Sequence, residues 1–127
     1  MRLASAVGNR LPAHLTAVGK ANLAFQTGNL DVDLQRVGSS GKPMKWDELL
    51  KELAQVSNQG YAVDDGQTLK AVRCVAAPMF DASGGCCGAI GVSYLRDAGP
   101  ATDGLAARVM RAAANASSRL GAHKLAG

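Results

Sequence analysis

The clearest periodic signal in the chain lies at residues 46–59. Trp46, Leu49, Leu50, Leu53 and Ala54 recur at three- to four-residue steps, while Glu48, Lys51, Glu52 and Gln55 face away. That pattern predicts an amphipathic helix, and Gly60 is placed to end it. From Ala13 onward, Leu15, Val18, Ala21 and Phe25 follow the same spacing, with Gly28 as the expected cap. Leu30, Leu34 and Val37 predict a short further helix before "GSSGKP" interrupts the pattern. A last helix is predicted from Asp103 to Leu120, with Leu105, Val109, Ala112, Ala113, Ala116 and Leu120 on one face and Gly121 after it.

Elsewhere the period is two. In "KAVRCVAAPMF" (70–80), Val72, Cys74 and Ala76 share one strand face, and Arg73, Val75 and Ala77 the other. "DASGG" is turn sequence, and "CCGAIGVSYL" returns as a second strand, so the two form a hairpin. Tyr61 to Val63 predict a short strand entering "DDG", and residues 1–12 a strand and turn ending at "GNRLP". A sequential hairpin makes the sheet antiparallel, and the fold class is α+β, with helices packed on the sheet.

Composition narrows the class of protein. One domain is expected from 127 residues, of which 47% are apolar and 19% charged, a globular balance and not a disordered one. The net charge of +4 is spread over scattered basic residues with no run of five, which reads as a solvated surface more than a phosphate-binding face. The three cysteines, Cys74, Cys86 and Cys87, form no C-x-x-C pair and suit a reducing cytoplasm. No apolar run reaches ~20 residues and no signal-like segment opens the chain, so neither a membrane span nor secretion is expected.

Candidate chemistry concentrates between Gly60 and Ser93. Asp64 and Asp65 are neighbours in an extended segment and point to opposite sides, so they are not a matched acid–base pair, and Asp-Asp-Gly is good turn sequence. Cys74 sits mid-strand, where a thiol ordinarily behaves as a small hydrophobe. A nucleophilic role would need an activating base; a Cys74–His14–Asp64 arrangement is one way to supply it. His14 and His123 give no metal spacing, and no metal or cofactor is expected. The glycines of "GGCCGAIGVS" lie in a hairpin and not at a strand-to-helix turn, so they do not suggest a phosphate cradle. Gly88 and Gly91 instead leave room over a sheet face that also carries Ser93.

Taken in order, "GNRLPAHLTAVGKANLA" (Gly8 to Ala24), "LLKELAQVSNQGYAVDD" (Leu49 to Asp65), "VRCVAAPMFDASGG" (Val72 to Gly85) and "GAIGVS" (Gly88 to Ser93) resemble the effector-binding domain of the IclR family of bacterial transcriptional regulators. The resemblance implies a GAF-like antiparallel sheet flanked by helices that binds a small organic or aromatic acid and takes part in a dimer or tetramer. It places the ligand pocket at Leu3, Leu11, Ala17, Val18, Asp64, Cys74, Gly91 and Ser93, with backbone donors at Ala17–Val18 suited to a carboxylate. Gly66 and Gln67 stand where family members often carry a second acidic pair, and Gly91 where serine is common. The loop is therefore less acidic and the cavity is expected to be larger, suiting a bulkier or less polar effector.

The resemblance also implies that residues 1–127 are a partial effector domain, truncated at its N-terminal side and without the winged helix-turn-helix. The expected function is effector sensing without catalysis, with operator DNA reached only through the absent domain. One alternative is a small thiol-dependent enzyme using Cys74, Cys86 or Cys87; another is an oligomerisation domain built on Leu105, Val109 and Leu120. The 127-residue chain alone is predicted to give no sequence-specific, salt-sensitive gel shift with operator DNA.

Overall fold

The computed structural model describes residues 10–97, 99 and 102–122. Helix α1 spans Ala17–Ala24 and α2 Trp46–Gln59; strands β1 (Ala62–Asp65), β2 (Val72–Phe80) and β3 (Cys86–Leu95) follow, and α3 covers Thr102–Arg119. The strands form one antiparallel sheet in the order β1-β2-β3. The expected α+β architecture is present, and the strand expected at residues 1–12 lies largely outside the described residues.

Alternation along β2 builds two cores. Ala76 packs with Ala17 and Ala21 of α1, Val56 of α2 and Ala62 of β1. Val75 and Ala77, pointing the other way, meet Ala106, Val109 and Ala113 of α3. A third cluster of Leu23, Leu34, Leu49 and Leu53 joins α1 to α2. The side chains against the sheet are mostly alanine, which lets both helices approach closely. Ser117 also faces inward from α3, accepting from the Phe80 amide at 2.9 Å and donating to the Ala113 carbonyl at 2.8 Å.

Thr16 caps α1 by accepting from the Gly19 amide at 3.0 Å. Phe25, not Gly28, caps its far end. Gly60 closes α2 in the left-handed conformation (φ 88°), as expected. In α2 the buried stripe is Leu49, Leu53 and Val56; Trp46 and Leu50 were expected inside but are 48% and 53% exposed. Glu52, expected to face away, turns partly inward beside that stripe.

The predicted helix at Leu30–Val37 does not form. Leu30, Val32 and Leu34 pack on alternate positions against the α1–α2 cluster, and Val37 is exposed. The Asp33 carboxylate accepts from the Gln35 amide at 3.0 Å, a local turn that competes with helical pairing. In α3, Leu105 and Val109 belong to the core under the sheet, whereas Ala112 and Leu120 are exposed. No common free face of Leu105, Val109 and Leu120 therefore exists for oligomerisation.

One charged group lies at the centre of this packing. Lys20 of α1 is fully buried, and its ammonium donates at 2.5 Å to Glu52 Oε1, to the Val63 carbonyl and to Gln67 Oε1. It ties α1, α2, β1 and the loop after β1 at one point. Lys20→Met should lower stability by about 3 kcal/mol, because it strips three partly buried acceptors of their donor and Glu52 of its counter-charge. Urea denaturation followed by circular dichroism measures this, and a loss under about 1 kcal/mol would refute the assignment.

Candidate functional site

The register of the sheet aligns three of the residues singled out from sequence. Asp64 pairs with Cys74, and Cys74 with Ser93, so the three form one row across β1, β2 and β3. Cross-strand partners share a sheet face; here it is the face on which α1 lies, with Cys74 packed against the α1 cluster and Ser93 exposed. The Cys74 Sγ and Ser93 Oγ atoms are 3.0 Å apart. The next row is Ala62, Ala76 and Gly91. Over it lies α1: a Cβ on Gly91 would stand 3.1 Å from the Ala76 Cβ and 3.2 Å from a Val18 methyl. The room left by the missing side chain at Gly91 is thus taken up by Val18, contrary to the larger cavity expected.

Asp64 is 2% exposed, and its Oδ1 accepts from the amides of Gln67 (2.7 Å) and Thr68 (3.3 Å). Turn chemistry fixes the loop 66–71 and commits that oxygen. In the same loop the Thr68 hydroxyl is buried without a partner among the described residues. Asp65 points to the opposite face, as its position next to Asp64 requires, and pairs with Arg73 (3.0 Å) and Arg96 (2.8 Å). The hydrogen bond from Arg73 is the main reason its carboxyl lies below the usual range.

At the entry to α1, the Gly19 and Lys20 amides are taken by the Thr16 hydroxyl and carbonyl. Ala17 and Val18 precede them, where helical amides have no acceptor within their own helix. Ala17 is buried and Val18 is 42% exposed. Leu11 is 46% exposed, and Leu3 lies outside the described residues. The structure thus brings Val18 and Gly91 into contact and Asp64, Cys74 and Ser93 into one row, and leaves Leu11 at the surface.

The surroundings of Cys74 do not activate it. Burial pushes the Cys74 thiol up, against a smaller opposing effect from the Ser93 hydrogen bond. His14 is 1% exposed, neither a surface nor a capping residue, and its Nε2 lies 3.2 Å from the Arg36 carbonyl. With His14 bonded there and Asp64 Oδ1 bonded to its loop, the Cys74–His14–Asp64 arrangement is not formed. Between Met79 and Phe80 a register shift sets Phe80 opposite Cys86 and Met79 opposite Gly88. Cys86 contacts Asn22 of α1 at 3.5 Å, whereas Cys87 is exposed and lies 3.6 Å from the Met79 carbonyl. Among the described residues no cluster of three or more His, Cys, Asp or Glu could hold a metal, and no helix is long and apolar enough to cross a membrane.

Sequence reasoning missed Lys20, Gln67 and Thr68. The signal for Lys20 was present: Ala17, Lys20, Ala21 and Ala24 follow helical spacing, so the lysine shares the inward face. A cleft of about 220 Å³ opens between α2 and β1. Glu52, Gln55, Val56, Gln59, Tyr61 and Val63 line it.

Comparison with known proteins agrees with this arrangement. Residues 1–119 match the model of the bacterial transcriptional regulator IclR C-terminal family. The HTH-type transcriptional regulator KdgR of Dickeya chrysanthemi is 31% identical over 105 residues, covering 74% of this chain and 32% of that protein. The chain therefore spans about one third of the length of this curated relative. The repressor BlcR of Agobacterium tumefaciens superposes with a TM-score of 0.80 at 28% identity, over 93% of this chain and 51% of that one. A double mutant of the PobR inducer-binding domain from Acinetobacter, in complex with 3-hydroxybenzoic acid, shares the fold with a TM-score of 0.72 at 22% identity, over 95% of this chain and 73% of that one. Sequence match and fold lead to one assignment: the chain belongs to the IclR family of bacterial transcriptional regulators and carries the fold of that family's C-terminal domain.

Proposed function

We propose that the chain is an effector-sensing module that binds a small organic or aromatic acid and modulates DNA binding by a separate winged helix-turn-helix domain of a cytoplasmic homo-oligomer. The observation that carries this reading is the Asp64–Cys74–Ser93 row beside the entry to α1. It combines a hydroxyl, a half-buried thiol and the first-turn amides of Ala17 and Val18, a set suited to a carboxylate next to an apolar body. The Ser93 hydroxyl and the two amides donate to the acid, while Cys74, Val18 and Gly91 set the shape of the hollow. Asp64 acts at one remove, by holding the loop that forms its wall. PobR, whose inducer-binding domain is complexed with 3-hydroxybenzoic acid, lends the ligand class its support. Binding shifts the population of domain arrangements by the difference in effector affinity between them.

Calorimetric titration with keto acids and aromatic acids, 3-hydroxybenzoate included, tests the assignment. At least one acid should bind, and Ser93→Ala should weaken it by about 1 kcal/mol, roughly fivefold, with little change in melting temperature. Asp64→Ala should lower both affinity and melting temperature, since the loop amides lose their acceptor. An unchanged affinity in Ser93→Ala removes the hollow from consideration.

Timed alkylation with iodoacetamide near pH 8 separates sensing from thiol chemistry. Cys87 should be modified first and Cys74 last, because Cys74 is half-buried and its thiol is pushed up. Faster modification of Cys74 than of Cys87 would favour the enzyme instead.

A further inference from the structure

Helix α2 carries a second apolar surface besides the one that faces the core. Leu49, Leu53 and Val56 point inward and are covered by α1 and the segment around Leu34. Trp46 and Leu50, placed inside by hydrophobicity alone, are 48% and 53% exposed, and Ala54 is exposed after them. These three stand at four-residue steps, the row along which packed helices most often interlock. Trp46 is the single tryptophan of the chain, and half-exposed indoles concentrate where proteins meet.

The row is complementary to itself. When two copies of α2 pack antiparallel about a two-fold axis at Leu50, each Leu50 meets the other, and Trp46 lies level with the partner's Ala54. The largest side chain of the row then meets the smallest at both ends, as close packing of interlocked ridges requires. Charge follows the same symmetry. Asp47 and Lys51 are the residues next after Trp46 and Leu50, so they form a second row along one flank. Both are exposed, and neither has an ion-pair partner among the described residues. About the same axis Asp47 comes opposite the partner's Lys51, displaced by only ~3 Å along the helix, and the symmetry makes this pair twice. We propose that this face is the contact of a homodimer, in which α2 of one copy packs antiparallel on α2 of a second across a two-fold axis at Leu50. An interface of one helix per copy is small, below ~1,200 Å² in total, so the dimer is weak and reversible. Such a dimer deepens the homo-oligomer reading above, on which it rests, by giving it a surface.

Analytical ultracentrifugation of the 127-residue chain from about 5 μM to about 500 μM should show a reversible monomer–dimer equilibrium, with Trp46 emission moving to shorter wavelength over the same range. Leu50→Glu should stay monomeric throughout at an unchanged melting temperature, because that side chain is exposed in the single chain. Asp47→Lys and Lys51→Asp should each weaken association roughly threefold or more, and the two together should restore it. A chain that remains monomeric across the range overturns the proposal and leaves the row to a different partner. A dimer that persists in Leu50→Glu, or a double variant no tighter than either single one, overturns it as well, but leaves a homo-oligomer standing through another surface. The acid titration reads the hollow beside α1 and not this face, so its failure would leave the dimer standing.

Discussion

A positive charge without access to water holds this domain together. Lys20 lies in a helix whose other inward residues, Ala17, Ala21 and Leu23, are apolar, and a lysine there is tolerated only because three acceptors converge on it. Those acceptors come from α2, from β1 and from the loop after β1. Each element must be in place for the charge to be solvated by the protein, so their positions are mutually dependent. The arrangement is a device for specificity: an alternative packing of α1 would bury the same charge with fewer partners.

The Asp64 loop hangs on the same arrangement. Gln67 receives Lys20 through its side chain and gives its own amide to the Asp64 carboxylate. The wall beside the Cys74–Ser93 contact is thus fixed from two directions, once from the helix and once from the strand. Small residues do the remaining work, since Ala62, Ala76 and Gly91 let α1 lie close enough for Val18 to touch the sheet. Affinity for an acid would then come from groups already positioned, with little ordering left for the ligand to bring about.

Much of this was legible in the sequence where one period dominated. The hairpin of β2 and β3 and the long helices α2 and α3 announced themselves, and alternation along β2 correctly divided its two faces. Leu30 and Leu34 misled because a spacing of four also fits an extended segment with apolar residues at alternate positions, and Val37, three residues on, falls outside that set and is exposed. There the deciding term was the Asp33 carboxylate bonding its own backbone. Trp46 and Leu50 misled for another reason: hydrophobicity alone outweighed the position of Glu52, whose partner on α1 is remote in sequence. The row of Asp64, Cys74 and Ser93 came from resemblance and not from spacing, since register across three strands is not written in any one of them.

Helix α1 meets the sheet unequally along its length. At its exit, Phe25 and Phe80 stand edge to face with ring centres 5.6 Å apart, and Asn22 touches Cys86 nearby. Lys20 clamps the helix one turn after its entry. The helix is therefore held at two points. Its entry is tied in turn to the chain before it, by the Thr16 amide on the Pro12 carbonyl, and His14 in that turn reaches the Arg36 carbonyl, so α1 shares its anchorage with the segment around Arg36.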